Sequence, residues 1–150
     1  MYISAKADYA LRALVTLAKA ERPMTADALA TSQELPVNYL EAVLLQLRRS
    51  GILTNQRGPD AGYRFRGSPS EVKAADVLRA VDGPLAEVRG LRPEATSYPE
   101  DTVVIQELWV AVRAGLRQVL ETVTIQNMAD GQLPDPVRKL VDDPDSWASR

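Results

Sequence analysis

The 150-residue chain predicts a mostly α, α+β fold: a winged helix-turn-helix with a two-stranded wing, continued by a long C-terminal dimerisation helix. Three observations predict it. Apolar residues recur at helical spacing in successive short segments up to residue 47. A helix stopped by Gly51 then runs into two β-prone segments around Gly58-Pro59-Asp60-Ala61-Gly62. Beyond residue 100 a longer helical stripe continues to residue 123 without a proline.

The first helix is expected from Ser4 to Ala20, with Ser4 as N-cap and Tyr9, Ala10, Leu14, Val15, Leu17 and Ala18 as its apolar stripe. Glu21-Arg22-Pro23 ends it. Thr25 caps a short second helix, Ala26 to about Ser32, with Ala28, Leu29 and Ala30 facing inward. Pro36 fits the first turn of a third helix, where a missing N–H leaves no bond unmade. That helix buries Leu40, Val43, Leu44 and Leu47, spaced i, i+3, i+4 and i+7, and Gly51 stops it. Ile52–Thr54 and Tyr63–Phe65 read as brief strands.

A helix over roughly Lys73 to Val81 turns Ala75, Val77, Leu78 and Val81 inward and ends at Asp82-Gly83-Pro84. Residues 85–99 read as irregular, broken by Gly90, Pro93, Ser97 and Pro99. The long helix is expected from about Glu100 to Val123, about 36 Å at 1.5 Å per residue. Its stripe is Val104, Leu108, Ala111, Val112, Leu116, Val119, Leu120 and Val123. Thr124 caps a last short piece toward Ala129. Residues 130–150, with Pro134, Pro136, Pro144 and five aspartates, read as a loosely packed acidic tail. The expected plan is therefore 1–84 winged helix-turn-helix, 85–99 connecting loop, 100–129 dimerisation region and 130–150 tail. The winged unit is too small to bury the long stripe alone, so a second copy is the economical cover, two-fold pairing being the commonest.

Cysteine and histidine are both absent. Their absence removes disulfides, thiolate and imidazole metal sites, and nucleophiles activated by histidine. No carboxylate or lysine constellation suggests an enzyme, and neither a metal nor a cofactor is expected. No segment approaches the ~18 apolar residues of a membrane span, and the N-terminus lacks the basic-then-apolar layout of a signal peptide. The cytoplasm is the expected location, with no membrane partner. The net charge of −2 hides an asymmetry. Residues 1–90 carry 12 Lys/Arg and 10 Asp/Glu, while residues 91–150 carry 6 and 10. The basic surplus concentrates between residues 48 and 66, where Arg48, Arg49, Arg57, Arg64 and Arg66 face one acid, Asp60. A helix followed by an arginine-bearing hairpin is the shape of a recognition helix with its wing, and the partner it predicts is double-stranded DNA.

The order and spacing of several fragments resemble the Rrf2 family of bacterial winged-helix regulators. They are Ala7-Asp8-Tyr9-Ala10-Leu11-Arg12-Ala13-Leu14, Asn38-Tyr39-Leu40-Glu41, Leu47-Arg48-Arg49-Ser50-Gly51-Ile52-Leu53, Arg57-Gly58-Pro59, Gly62-Tyr63 and Ala75 to Pro84. The resemblance covers about residues 3–86 closely and the long helix loosely. It implies a homodimer crossed through its long helices on a roughly palindromic operator. It also implies that Asn38, Tyr39 and Glu41 approach DNA from the start of the recognition helix and that Arg57 lies near the minor groove. Asparagine can pair bidentately with adenine, glutamate can accept from cytosine, and arginine suits a narrow minor groove. Two departures stand out. Asp60 and Ala61 replace two glycines of the usual wing, and the loop at 85–99 has none of the three cysteines with which cluster-binding members hold iron and sulfur. The resemblance thus implies a member without a cluster.

The expected DNA-binding set is Thr25, Pro36, Val37, Asn38, Tyr39, Glu41, Arg48, Arg49, Arg57, Gly58 and Tyr63. Tyr39 could stack or merely pack, Glu41 could read a base or simply be solvated, and Arg48 and Arg49 also suit a helix C-terminus. A second expected set, Asp8, Leu91, Arg92, Tyr98 and Trp109, could line an effector cavity between the long helix and the winged part. Arg92 there would favour an anionic effector, although Trp109 is more simply a packing residue and Asp8 a first-turn acid. The functional expectation is a homodimeric, sequence-specific repressor answering to a small effector or a partner protein. A winged helix used only for protein contact is the competing reading.

Overall fold

A computed structural model describes residues 1–150. Helix α1 (Ala5–Ala20) starts at Ser4, whose Oγ accepts the Ala7 amide at 3.0 Å and donates to Asp82 at 2.6 Å. Its buried face is Ala7, Ala10, Ala13, Leu14 and Leu17. Three alanines on that face allow neighbouring helices to approach closely. Thr25 accepts the Ala28 amide and opens α2 (Ala26–Gln33), in which Leu29 and Ala30 are buried. Ala28, expected inward, is exposed, because only one face of so short a helix meets the core.

Pro36 is the N-cap of α3 (Val37–Arg49) rather than a residue of its first turn. Leu40, Val43, Leu44 and Leu47 are buried as the spacing predicts. The helix closes with two bonds, Gly51 N–H to the Arg48 carbonyl and Ile52 N–H to the Leu47 carbonyl, with Gly51 at φ +85°. This double bond is the Schellman stop that a left-handed glycine permits. Because it uses the Ile52 amide, β1 runs from Leu53 to Gln56 instead of starting at Ile52. It pairs antiparallel with β2 (Gly62–Phe65), Leu53 opposite Phe65 and Gln56 opposite Gly62.

A bridge not legible in the sequence ties the wing to the start of α2. Tyr63 and Met24 exchange both backbone bonds, at 2.7 and 3.0 Å. Gly62 makes that approach feasible: a Cβ there would lie 2.5 Å from the Met24 carbonyl carbon.

After a 3-10 turn (Pro69–Glu71), α4 (Ala74–Asp82) buries Ala75, Val77 and Val81. Leu78 is only half-buried. The long helix is shorter than expected. Residues Glu100–Thr102 form a 3-10 turn, and α5 spans Val104–Leu120, about 25 Å. It stops early because the chain must extend: the Val123 carbonyl accepts the Ala74 amide, and the Ile125 amide donates to the Val72 carbonyl. Thr124 and Asn127 then cap each other around α6 (Ile125–Ala129), and Ile125 is fully buried in the same core as α1 and α3. The chain thus returns to the winged unit, crossing the boundary expected at residue 84. Residues 130–150 also differ from a loose tail. Pro134 and Pro136 begin a helix, α7 (Asp135–Asp142), with Val137 buried, since proline is tolerated in a first turn. Asp142, Asp143 and Asp145 have partners there: Asp142 with Arg138, Asp145 with Arg150, and Asp143 with the Asp145 amide.

Candidate nucleic-acid interface

Around the helical circle, at about 100° per residue, the buried residues of α3 centre opposite Asn38. Asn38, Glu41, Ala42, Arg48 and Arg49 are exposed on one side, and half-buried Leu45 lies between them. Ala42 and Leu45 were not singled out from sequence, although the helical period places them there. No side chain caps α3. The amides of Val37, Asn38 and Tyr39 therefore have no acceptor within the protein, and the positive end of the helix dipole faces solvent. Such an end binds phosphate readily. Val37 packs its side chain against the core, which leaves its backbone amide at the helix start. Tyr39 is exposed on one edge and rests edge-on against Tyr9, ring centroids 5.5 Å apart. Its ring is held at the helix start by packing, with part of it left at the surface.

The wing adjoins this helix pair. Thr25 and exposed Ala28 share a surface cleft with the wing-tip residues Pro59, Asp60 and Ala61. The Thr25 hydroxyl is engaged as the cap of α2, its methyl and backbone remaining at the surface. Arg57 and Gly58 are exposed, Gly58 at φ +97°, while Tyr63 is half-buried and packs on the core behind them. Arg48 and Arg49 sit about 15 Å along α3 from Asn38, at its C-terminal end. Arg64 on β2 and Arg66 just past it flank half-buried Phe65, and both are exposed. None of the five arginines from Arg48 to Arg66 has an ion-pair partner, and neither has Asp60. Their full charge is directed outward.

The stripe expected to mediate pairing divides in two. Not one residue of α5 is buried. Val104 and Leu108 are 62% and 54% exposed, and Ala111 is open as well. Val112, Leu116, Val119 and Leu120 instead line an apolar groove of about 610 Å³ with the N-terminal Tyr2 and Ile3. Val123 does not belong with them: lying past the helix end, it is buried in its own subunit.

The loop at 85–99 is built rather than slack. Arg89 and Gly90 take positive φ in a two-residue turn closed by Val88 and Leu91. The Arg89 guanidinium lies 5.3 Å from the Tyr98 ring centroid. Gln106 donates to the Glu94 and Thr96 carbonyls at 3.1 and 2.6 Å, and Trp109 donates to the Tyr98 hydroxyl at 3.1 Å. Arg113 pairs with Glu94. Side chains of α5 hold the segment in place.

The proposed effector set is not brought together. Tyr98 and Trp109 meet each other, Leu91 is exposed, and Asp8 pairs with Arg12 on α1 at 3.7 Å. Arg92, apart from the other four, faces a cavity of about 470 Å³ that it shares with Arg79, Leu85, Glu94, Arg113 and Arg117. Its own amide and Arg113 hold the Glu94 carboxyl below the usual range. Hydrogen bonds from Arg79 and Arg117 do the same for Glu121.

Several comparisons bear on what this arrangement is. The Rrf2 family profile, described as an iron-dependent transcriptional regulator, matches residues 3–131. Rv1287 of Mycobacterium tuberculosis, by name an HTH-type transcriptional regulator, is 40% identical over 145 residues, covering 95% of this chain and 90% of that protein. The HTH-type regulator CymR of Bacillus subtilis is 30% identical over 131 residues, covering 86% and 90%. The solved structure of that CymR, titled the global cysteine regulator, superposes with a TM-score of 0.74, covering 88% of this chain and 98% of the other. The iron in the family description finds no matching donors here. The chain has no thiolate or imidazole and gathers no metal-binding group of carboxylates, so its residues do not fit an iron–sulfur cluster. No helix is long and apolar enough to cross a membrane. With the same fold, an exposed recognition helix beside an arginine-bearing wing, and a family match over most of its length, this chain belongs to the Rrf2 family of winged helix-turn-helix transcriptional regulators.

Proposed function

We propose that the protein is a homodimeric, sequence-specific repressor that binds a palindromic operator without an iron–sulfur cluster. One observation carries the reading: an uncapped recognition-helix N-terminus, together with five exposed arginines from the end of that helix through the wing, none neutralised within the subunit. Charges left unpaired at the surface suit a polyanion that supplies the counter-charge on binding. Asn38 and Glu41 would read bases, Arg57 would enter or flank the minor groove, and the amides at Val37–Tyr39 would hold a phosphate. The open stripe of Val104, Leu108 and Ala111 supports pairing through α5, which sets the two reading heads about one helical turn, or a multiple of it, apart.

Selecting duplexes from a random pool with the purified protein provides the probe. Affinity for the selected duplex should fall steeply as salt rises. Arg57→Ala should weaken it about tenfold and flatten the salt slope by about one unit. Binding that ignores both salt and Arg57 would sink the proposal in favour of a protein-contact module.

A further inference from the structure

The cavity between α4, the loop and α5 is lined by four guanidiniums, of Arg79, Arg92, Arg113 and Arg117, and by the Glu94 carboxylate. Glu121 stands beside it, paired with Arg79 and Arg117. With Asp76, which also pairs with Arg79, four positive and three negative charges leave a surplus of one (4 − 3 = +1). Arg92 accounts for the imbalance: it has no ion pair and no hydrogen bond from its side chain, although the other three guanidiniums each hold a carboxylate. Leu85, Pro84 and Ala86 supply a short apolar wall. The volume, about 470 Å³, suits a small metabolite and not a macromolecular chain.

From this we infer that the cavity binds a small dianion, a dicarboxylate or a phosphomonoester-like group, forked between Arg92 and the guanidiniums of α5. Guanidinium forks favour both groups, because each offers paired oxygens at matching spacing. The lining comes from three separate elements, so an occupant joins α5 to the winged unit across the loop. A ligand seated there biases the angle between reading heads if it binds one dimer geometry more tightly than the other. This regulatory consequence rests on the proposed function, whereas the site itself does not.

Titration calorimetry on the full-length protein at constant ionic strength tests the site, with inorganic phosphate and succinate as separate probes and glycerol as the neutral control. The expected result is saturable uptake of at least one dianion, one per subunit, with a Kd of about 1 mM or lower, and none of glycerol. Whichever of the two saturates identifies the chemistry. Arg92→Ala should weaken uptake at least tenfold and Arg92→Lys should restore part of it, with unchanged thermal melts, because Arg92 makes no contact that the fold needs. Absence of saturation with both dianions overturns the inference, and so does equal uptake by Arg92→Ala. Loss of duplex affinity in Arg92→Ala without dianion uptake overturns it too, and assigns the residue to DNA phosphate. Parallel binding to the selected duplex separates the two proposals. Duplex binding without dianion uptake removes only this site, and dianion uptake without duplex binding removes only the proposed function.

Discussion

Between Arg48 and Arg66 five guanidiniums reach solvent with no carboxylate beside them, whereas three of the four around the cavity under α5 are tied to Glu94 or Glu121. Both regions are rich in arginine, yet one keeps its charge for an external partner and the other uses most of it to hold elements together. The difference follows from what surrounds each. The wing carries a single acid, and Asp60 lies beyond reach of the arginines there. The loop and α5 place acids opposite arginines from different elements. A count of basic residues cannot separate these cases; the pairing can.

The most disruptive way to test the comparison is Gly62→Ala. Its Cβ would fall within 2.6 Å of both the carbonyl carbon and oxygen of Met24. The wing should detach from α2, with a loss of about 3 kcal/mol in urea unfolding and no measurable duplex binding. A variant as stable as the parent would mean the Met24–Tyr63 bridge does not anchor the wing. Next in size is Leu108→Glu, which puts a charge on the open half of the α5 stripe. Sedimentation should register the proposed dimer weakened about hundredfold, equivalent to about 2–3 kcal/mol, while the far-ultraviolet spectrum stays unchanged. An intact dimer would move the interface elsewhere. Arg57→Ala, about tenfold in duplex affinity, should leave stability untouched, since its charge has no partner within the subunit.

The smallest effect belongs to the stitched region. Hydrogen bonds from Arg79 and then Arg117 lower the Glu121 pKa below its ordinary value of 4.5. A depressed carboxylate stabilises the fold above its unfolded-state pKa, and that contribution fades as pH falls through the lower folded-state value. Glu121→Gln should therefore lower the urea midpoint slightly near neutral pH, and the two proteins should converge in acid. A gap that persists or widens in acid would assign the effect to packing instead of charge.

Most of the reading head was legible in advance. Ser4, Thr25 and Thr124 are caps, the α3 core stripe is buried as spaced, and Gly51 stops that helix, because each signal acts within one or two turns of its own residue. The same locality explains the failures. Pro134 and Pro136 look like breakers in isolation but start α7, since their position relative to a helix decides their effect. Trp109 and Tyr98, read as walls of a cavity, satisfy each other instead.

Sequence alone determined the class of the molecule: its helical stripes, its caps, an arginine-rich hairpin after a recognition helix, and a cysteine-free loop that cannot ligate iron and sulfur. Tertiary structure decided what those pieces touch. It shortened α5 by drawing residues 123–125 back beside α4, joined Met24 to Tyr63, and sorted the arginines into free and paired sets. Periodicity and capping are set by near neighbours along the chain. Pairing across 39 to 51 positions depends on which surfaces the packed core leaves facing each other, and no local pattern encodes that.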